Sequence, residues 1–150
     1  MLKAERRAEM IWNGNLVQED GKVTVGSGVV EALPMTWASR TEHPGGKTSP
    51  EELIAAAHAG CYAMALALTL TGEGASPERL QVAAVCTLEE VEGKPKITGI
   101  DLDVHGKVPG LDPAGFEQAA RKAEQLCPVS NALRNNVAIR LTARLEKEQR

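Results

Sequence analysis

Aromatic side chains are scarce in this chain. Phe, Trp and Tyr make up 3% of its 150 residues, so the core has to be built from Ala, Val and Leu. Small side chains let elements approach closely but give a shallow core, which favours a dimer sharing one core. Clustered positive charge is missing too. The formal net charge is −3 and the pI about 5.7, and no run of Lys and Arg exceeds Arg6–Arg7. That argues against a nucleic-acid partner. The first ten residues, MLKAERRAEM, mix both charges and hold no apolar stretch of the kind that marks a secretory leader. Cysteines number three, Cys61, Cys86 and Cys127. An odd count without a leader is expected of a reducing, cytoplasmic compartment, where a disulfide is transient and catalytic or redox-sensing. There is no C-x-x-C or H-x-x-x-H spacing for a metal. No repeat, low-complexity tract or long linker divides the chain, so residues 1–150 read as one domain.

What is present reads as strands first. Ala8, Met10 and Trp12 alternate with polar neighbours, Asn13-Gly14 marks a turn, and Lys22–Val25 alternates again. A loop rich in turn formers runs from Arg40 through His43-Pro44-Gly45-Gly46 to Thr48. Ser49, Pro50 and Glu52 then make a capping-box start for a helix from about Pro50 to Leu70. That helix is apolar on every side after Leu53, so it is expected to be buried and covered all round. The stretch from Leu53 to Leu70 must be weighed as a membrane span. It fails as one, because it is rich in Ala and carries His58 and Gly60. Further on, Leu80, Val82, Ala84, Cys86 and Leu88 share one face of a strand. Ile100, Leu102 and Val104 share a face of the next, and Gly93–Pro95 joins the two. Asp112-Pro113 opens a second, amphipathic helix with Phe116, Ala119, Ala120, Ala123, Leu126 and Cys127 on its apolar stripe. Pro128 breaks it, and a last strand alternates through Val137, Ile139, Leu141, Ala143 and Leu145. Strands and helices do not alternate one for one, so the fold class is α+β.

Three cysteines and one histidine are the chemical candidates. Cys61 lies about a dozen residues into the apolar helix, where a cysteine is ordinarily a small buried hydrophobe. Burial among alkyl groups raises its pKa, and the helix N-terminus is too far away to activate it at about 1.5 Å of rise per residue. A nucleophilic Cys61 therefore needs a cation from elsewhere in the fold. Cys127 sits at a helix junction that permits movement, as a resolving thiol requires, although a core cysteine fits there as well. Cys86 lies on the core face of a strand. His58 is three residues before Cys61 on the same helix face, either as a packed core histidine or as a partner of the thiol. Arg40, Glu51 and Glu52, taken alone, are a surface arginine and two helix-start carboxylates.

The segment SPEELIAAAHAGCYAMAL, residues 49–66, resembles the signature around the peroxidatic cysteine of the OsmC/Ohr family. CPVSNAL, residues 127–133, resembles that family's resolving-cysteine motif, and the upstream Ser39-Arg40-Thr41-Glu42 also fits. HAGC and CPVS lean towards the OsmC branch, and the resemblance covers essentially the whole chain. It implies an OsmC-like α+β fold, in which an antiparallel sheet wraps a buried central helix and a second amphipathic helix, in an intertwined homodimer. It implies reduction of organic hydroperoxides, and of hydrogen peroxide more weakly, in oxidative and osmotic stress. Cys61 would pass through a sulfenic acid to a Cys61–Cys127 disulfide. A dithiol, with lipoyl groups on a carrier protein as the leading candidate, would recycle it. No metal, flavin or other cofactor is expected, and no nucleic acid or membrane. Arg40 matches the family's active-site arginine and Glu51 the glutamate that orients it, which supplies the missing cation. Glu51 lies about 15 Å along the helix axis from Cys61. It must therefore act through Arg40, or the pair must come from a second subunit. The alternative to a peroxidase is a non-catalytic redox sensor or stress-related binding protein on the same fold.

Overall fold

The computed structural model describes residues 1–148. The chain divides into two compact units, Met1–Leu53 and the residues from Ile54 onward.

In the first unit, strands β1 (Ala8–Trp12), β2 (Asp20–Val25) and β3 (Leu33–Thr36) form an antiparallel meander in that order. Gly21 lies under the Met10 and Trp12 side chains, where a Cβ would come within 2.3 Å of Met10 Cε. Only glycine leaves room for them there. Arg40 and Thr41, expected at the start of a loop, instead end a short helix, α1 (Trp37–Thr41). Its start is a reciprocal cap: Ser39 N–H donates to Thr36 Oγ1 at 3.0 Å, and Thr36 N–H donates to Ser39 Oγ at 2.9 Å. The expectation missed it because serine filled the position where Glu or Gln usually completes such a box.

Helix α2 (Pro50–Gly72) begins in this unit, with Ser49 Oγ accepting from Glu52 N–H at 3.1 Å. The Glu52 carboxylate takes the Thr48 hydroxyl at 2.9 Å instead of returning to the Ser49 amide. The expected capping box is thus half formed.

The second unit carries the rest of α2, then β4 (Arg79–Val91), β5 (Lys94–Lys107), α3 (Pro113–Leu126), α4 (Pro128–Leu133) and β6 (Ala138–Leu145). Strands β4 and β5 pair antiparallel across a two-residue turn, Glu92 and Gly93, both at positive φ (52° and 76°). That backbone matches the twist of the flanking strands. The sheet departs from the expected antiparallel arrangement at β6, which runs parallel to β5 with Leu102 opposite Leu141. Helices α3 and α4 supply the crossover that a parallel connection needs. Asp112 caps α3 by accepting from Gly115 N–H at 2.7 Å, and Pro113 takes the first helical position.

The core of this unit packs Ile100, Leu102 and Val104 of β5 against Tyr62, Leu66 and Leu70 of α2 and Phe116, Ala119, Ala120 and Ala123 of α3. Small residues on α3 bring the helix close to its neighbours. The Tyr62 hydroxyl donates to Ala120 O at 3.0 Å, which satisfies both groups inside the core. Gly106 serves Phe116, whose ring would lie 2.4 Å from a Cβ at that position.

Helix α2 is not covered all round, contrary to expectation. His58, Tyr62, Leu66, Thr69 and Leu70 are buried, whereas Met64 and Leu68 are 70% and 74% exposed. Ala56 and Gly60 extend that open stripe at intervals of four residues. By length and composition α2 would also pass as a membrane span, but its buried face is committed to the chain's own core.

Candidate active site

Arg40 and Glu51 meet within the first unit. Glu51 stands in the first turn of α2, nearly buried at 6% exposure, and Arg40 in the last turn of α1. The guanidinium clasps the carboxylate with two nitrogens: Nη2 to Oε1 at 2.8 Å and Nε to Oε1 at 3.1 Å. This fork holds the planar group in one orientation as well as pairing its charge. Because Thr48 satisfies Glu52, Glu51 is left to the arginine. Trp37 backs the pair from one turn earlier, its ring centroid 5.9 Å from Arg40 Cζ. The Ser39 hydroxyl donates to Thr48 O at 2.8 Å, and Thr48 N–H to Pro34 O at 2.9 Å. These bonds fix α1 against the segment that leads into α2.

Cys61 and Cys127 meet within the second unit. Cys127 is the junction residue between α3 and α4. Its backbone is extended (φ −65°, ψ 118°), because Pro128 disfavours helical geometry there. Its amide still donates to Ala123 O at 2.9 Å, so the thiol projects from the end of α3. Cys127 also caps α4, with Sγ accepting from Ser130 N–H at 3.5 Å. Cys61 packs against the core cluster that includes Cys127, and its thiol feels both the Cys127 thiol and the Val129 backbone amide. Burial pushes the Cys61 thiol pKa up, the Val129 amide pulls it down, and the neighbouring Cys127 raises it again. Cys127 is fully buried while Cys61 is half-buried. Cys61 is thus the more solvent-accessible of the two.

His58 and Ser130, both fully buried, close the arrangement with Nε2 and Oγ 2.6 Å apart. Burial lowers the His58 pKa, against a smaller upward pull from Glu124, and favours the neutral ring. His58 is thus a hydrogen-bonded core histidine, one of the two roles open to it on sequence grounds. Cys86 lies half-buried on β4 within the core.

Val129, Ser130 and Trp37 were not singled out from the sequence. For Ser130 the signal was present: Cys127-Pro128 repeats the cap-plus-proline pattern of Asp112-Pro113, which places the residue-130 amide on the cap. Among the described residues no group of three His, Cys, Asp or Glu side chains is placed to hold a metal ion.

A mixed three-stranded sheet packed by helices, with one buried and one more accessible cysteine on those helices, defines a small α+β protein. The family model for OsmC-like protein matches residues 43–142, and the chain belongs to that family. It is 36% identical over 134 residues to Peroxiredoxin OsmC of Escherichia coli, across 89% of this chain and 93% of that one. It is 33% identical over 101 residues to the Organic hydroperoxide resistance protein of Xanthomonas axonopodis pv. citri, covering 65% and 68% of the two chains. The fold matches the crystal structure of the Organic Hydroperoxide Resistance Protein OhrB of Bacillus subtilis with a TM-score of 0.73 and 25% identity, over 93% of this chain and 98% of that one. An organic hydroperoxide resistance protein OsmC from Legionella pneumophila matches with a TM-score of 0.70 and 28% identity, over 95% and 99% of the two chains.

Proposed function

We propose that the chain is a thiol-dependent peroxidase that reduces organic hydroperoxides, and hydrogen peroxide more weakly, in defence against oxidative and osmotic stress. The observation that carries this reading is the half-buried Cys61 packed against the cluster that holds the fully buried Cys127, each thiol acting on the other. The names of its relatives, a peroxiredoxin and organic hydroperoxide resistance proteins, point the same way.

In the proposed cycle the Cys61 thiolate attacks the terminal oxygen of the hydroperoxide. An S–O bond forms, the O–O bond breaks, and the departing alkoxide takes a proton to become the alcohol. The sulfur of Cys127 then attacks the Cys61 sulfenic acid. An S–S bond forms, and the hydroxyl leaves as water with the Cys127 proton. Two thiol–disulfide exchanges with a dithiol, such as a lipoyl group on a carrier protein, restore both thiols and oxidise the donor. Arg40, held by Glu51, is the cation that favours the Cys61 thiolate and stabilises charge on the leaving oxygen. It acts from the same chain or from a second copy. The open stripe of α2, Ala56, Gly60, Met64 and Leu68, is proposed as the seat of that second copy in a homodimer.

One equivalent of cumene hydroperoxide should remove two of the three thiols rapidly, with Cys86 as the thiol that remains. Dihydrolipoamide should then sustain turnover, whereas a redox sensor would stop after one cycle. Peroxide consumption by Cys61→Ser at the parent rate would falsify the assignment.

A further inference from the structure

His58 stands three residues before Cys61 on α2, and Ser130 three residues after Cys127 on α4. The Nε2–Oγ contact of 2.6 Å therefore ties together the same two elements that carry the two sulfurs. Ser130 belongs to both systems, since its hydroxyl meets His58 while its amide donates to Cys127 Sγ. The rest of α4 is tied to α3 instead: Arg134 Nη2 donates to Glu124 O at 3.1 Å and Asn131 Nδ2 donates to Gln125 O at 3.0 Å. Contacts between α2 and α4 include the proximity of the two thiols, the Val129 amide acting on the Cys61 sulfur, and the His58–Ser130 hydrogen bond. Oxidation of Cys61 to a sulfenic acid alters the first two directly. It leaves the atoms of the third untouched.

The resolving step makes particular demands on geometry. The sulfurs must close to about 2.05 Å, with a specific dihedral angle about the new bond. A displacement of about 1 Å at a reacting pair is enough to cost roughly 100-fold in rate. We propose that the His58–Ser130 hydrogen bond is the positioning link that keeps Cys127 on Cys61 after Cys61 has been oxidised. It thereby sets the rate of disulfide formation and leaves the peroxide attack alone. The inference rests on the two-thiol reading of the preceding subsection. His58 and Ser130 are positioning residues, since neither takes part in bond making.

The test separates the two steps by stopped flow with one equivalent of cumene hydroperoxide, reading peroxide loss and disulfide formation independently. Ser130→Ala and His58→Leu should slow disulfide formation roughly 10- to 100-fold, with peroxide loss within about twofold of the parent. His58→Gln, whose side-chain amide still reaches Ser130, should resolve close to the parent rate. Under excess peroxide the first two variants should accumulate Cys61 sulfinic acid at the expense of disulfide. That partition, read by intact mass, is a ratio within the oxidised protein, so loss of folded protein does not mimic it. Parent-like partition in Ser130→Ala and His58→Leu would overturn the proposal, as would a His58→Gln variant as slow as His58→Leu. A parent that loses no thiols to peroxide would instead overturn the peroxidase reading itself.

Discussion

At the scale of single residues, the chemistry turns on a conflict at Cys61. Its surroundings favour the neutral thiol, through burial and through a second thiol alongside, with one backbone amide from Val129 in opposition. A nucleophilic thiolate needs more than one amide. The clasped Arg40 is the proposed remedy, and the sign of its effect follows. A cation beside the sulfur lowers the thiol pKa, so its removal leaves the pKa high and the thiolate fraction small at neutral pH. Arg40→Met should therefore lower the rate of peroxide loss at pH 7 by roughly 10- to 1000-fold, the span an opposite charge within reach commands over an ionisable group. Its pH–rate profile should be displaced to higher pH, with activity partly recovered in alkali. A profile that falls in height but keeps its midpoint would show that Arg40 does not act on the thiol.

At the scale of elements, Gly106 and Phe116 give the clearest mechanical dependence. The ring of Phe116 lies where a side chain at 106 would begin, 2.4 Å from a built Cβ. Gly106→Ala must push α3 off β5 or turn the ring, and overpacking of this kind costs about 1–3 kcal/mol. For a chain of this size that corresponds to a drop in Tm of roughly 2–10 °C, measurable by calorimetry. An unchanged Tm would mean that the ring has slack.

The elements also show where the sequence was readable. Asp112-Pro113 and Ser49-Pro50 announced both long helices, and the alternation at Leu80–Leu88 and Ile100–Val104 announced a hairpin. Local signals settle such features, because a cap or an alternating face is decided by neighbours in the chain. The direction of β6 was not legible, since Val137 to Leu145 alternates identically whichever way it pairs. The coverage of α2 was not legible for the complementary reason. An apolar surface says that something must cover it and does not say whether the cover is the same chain. In the site, the motifs brought out Cys61, Cys127, Arg40 and Glu51. Trp37 and Val129 act through a ring face and a backbone amide, which composition and spacing do not reveal.

At the scale of the whole molecule, the stripe of Ala56, Gly60, Met64 and Leu68 bears on the proposed homodimer. Small residues at 56 and 60 permit close approach of another helix, while Met64 and Leu68 supply apolar area. Sedimentation equilibrium at micromolar concentration should give twice the 16.0 kDa chain mass. The double variant Met64→Glu, Leu68→Glu should sediment as a single chain. A parent that sediments at 16.0 kDa would remove the dimer from the scheme.

Both tryptophans, Trp12 and Trp37, fall within residues 1–53, and Trp37 lies against Arg40. The residues from Ile54 onward, which carry both thiols, hold Tyr62 and Phe116 as their aromatics. An indole thus stands at the arginine, whereas no indole lies among residues 54–148, which carry the cysteines. Emission excited near the red edge, where the phenol does not absorb, therefore comes from Trp12 and Trp37, and the Trp37 share reports on the arginine that lies against its ring.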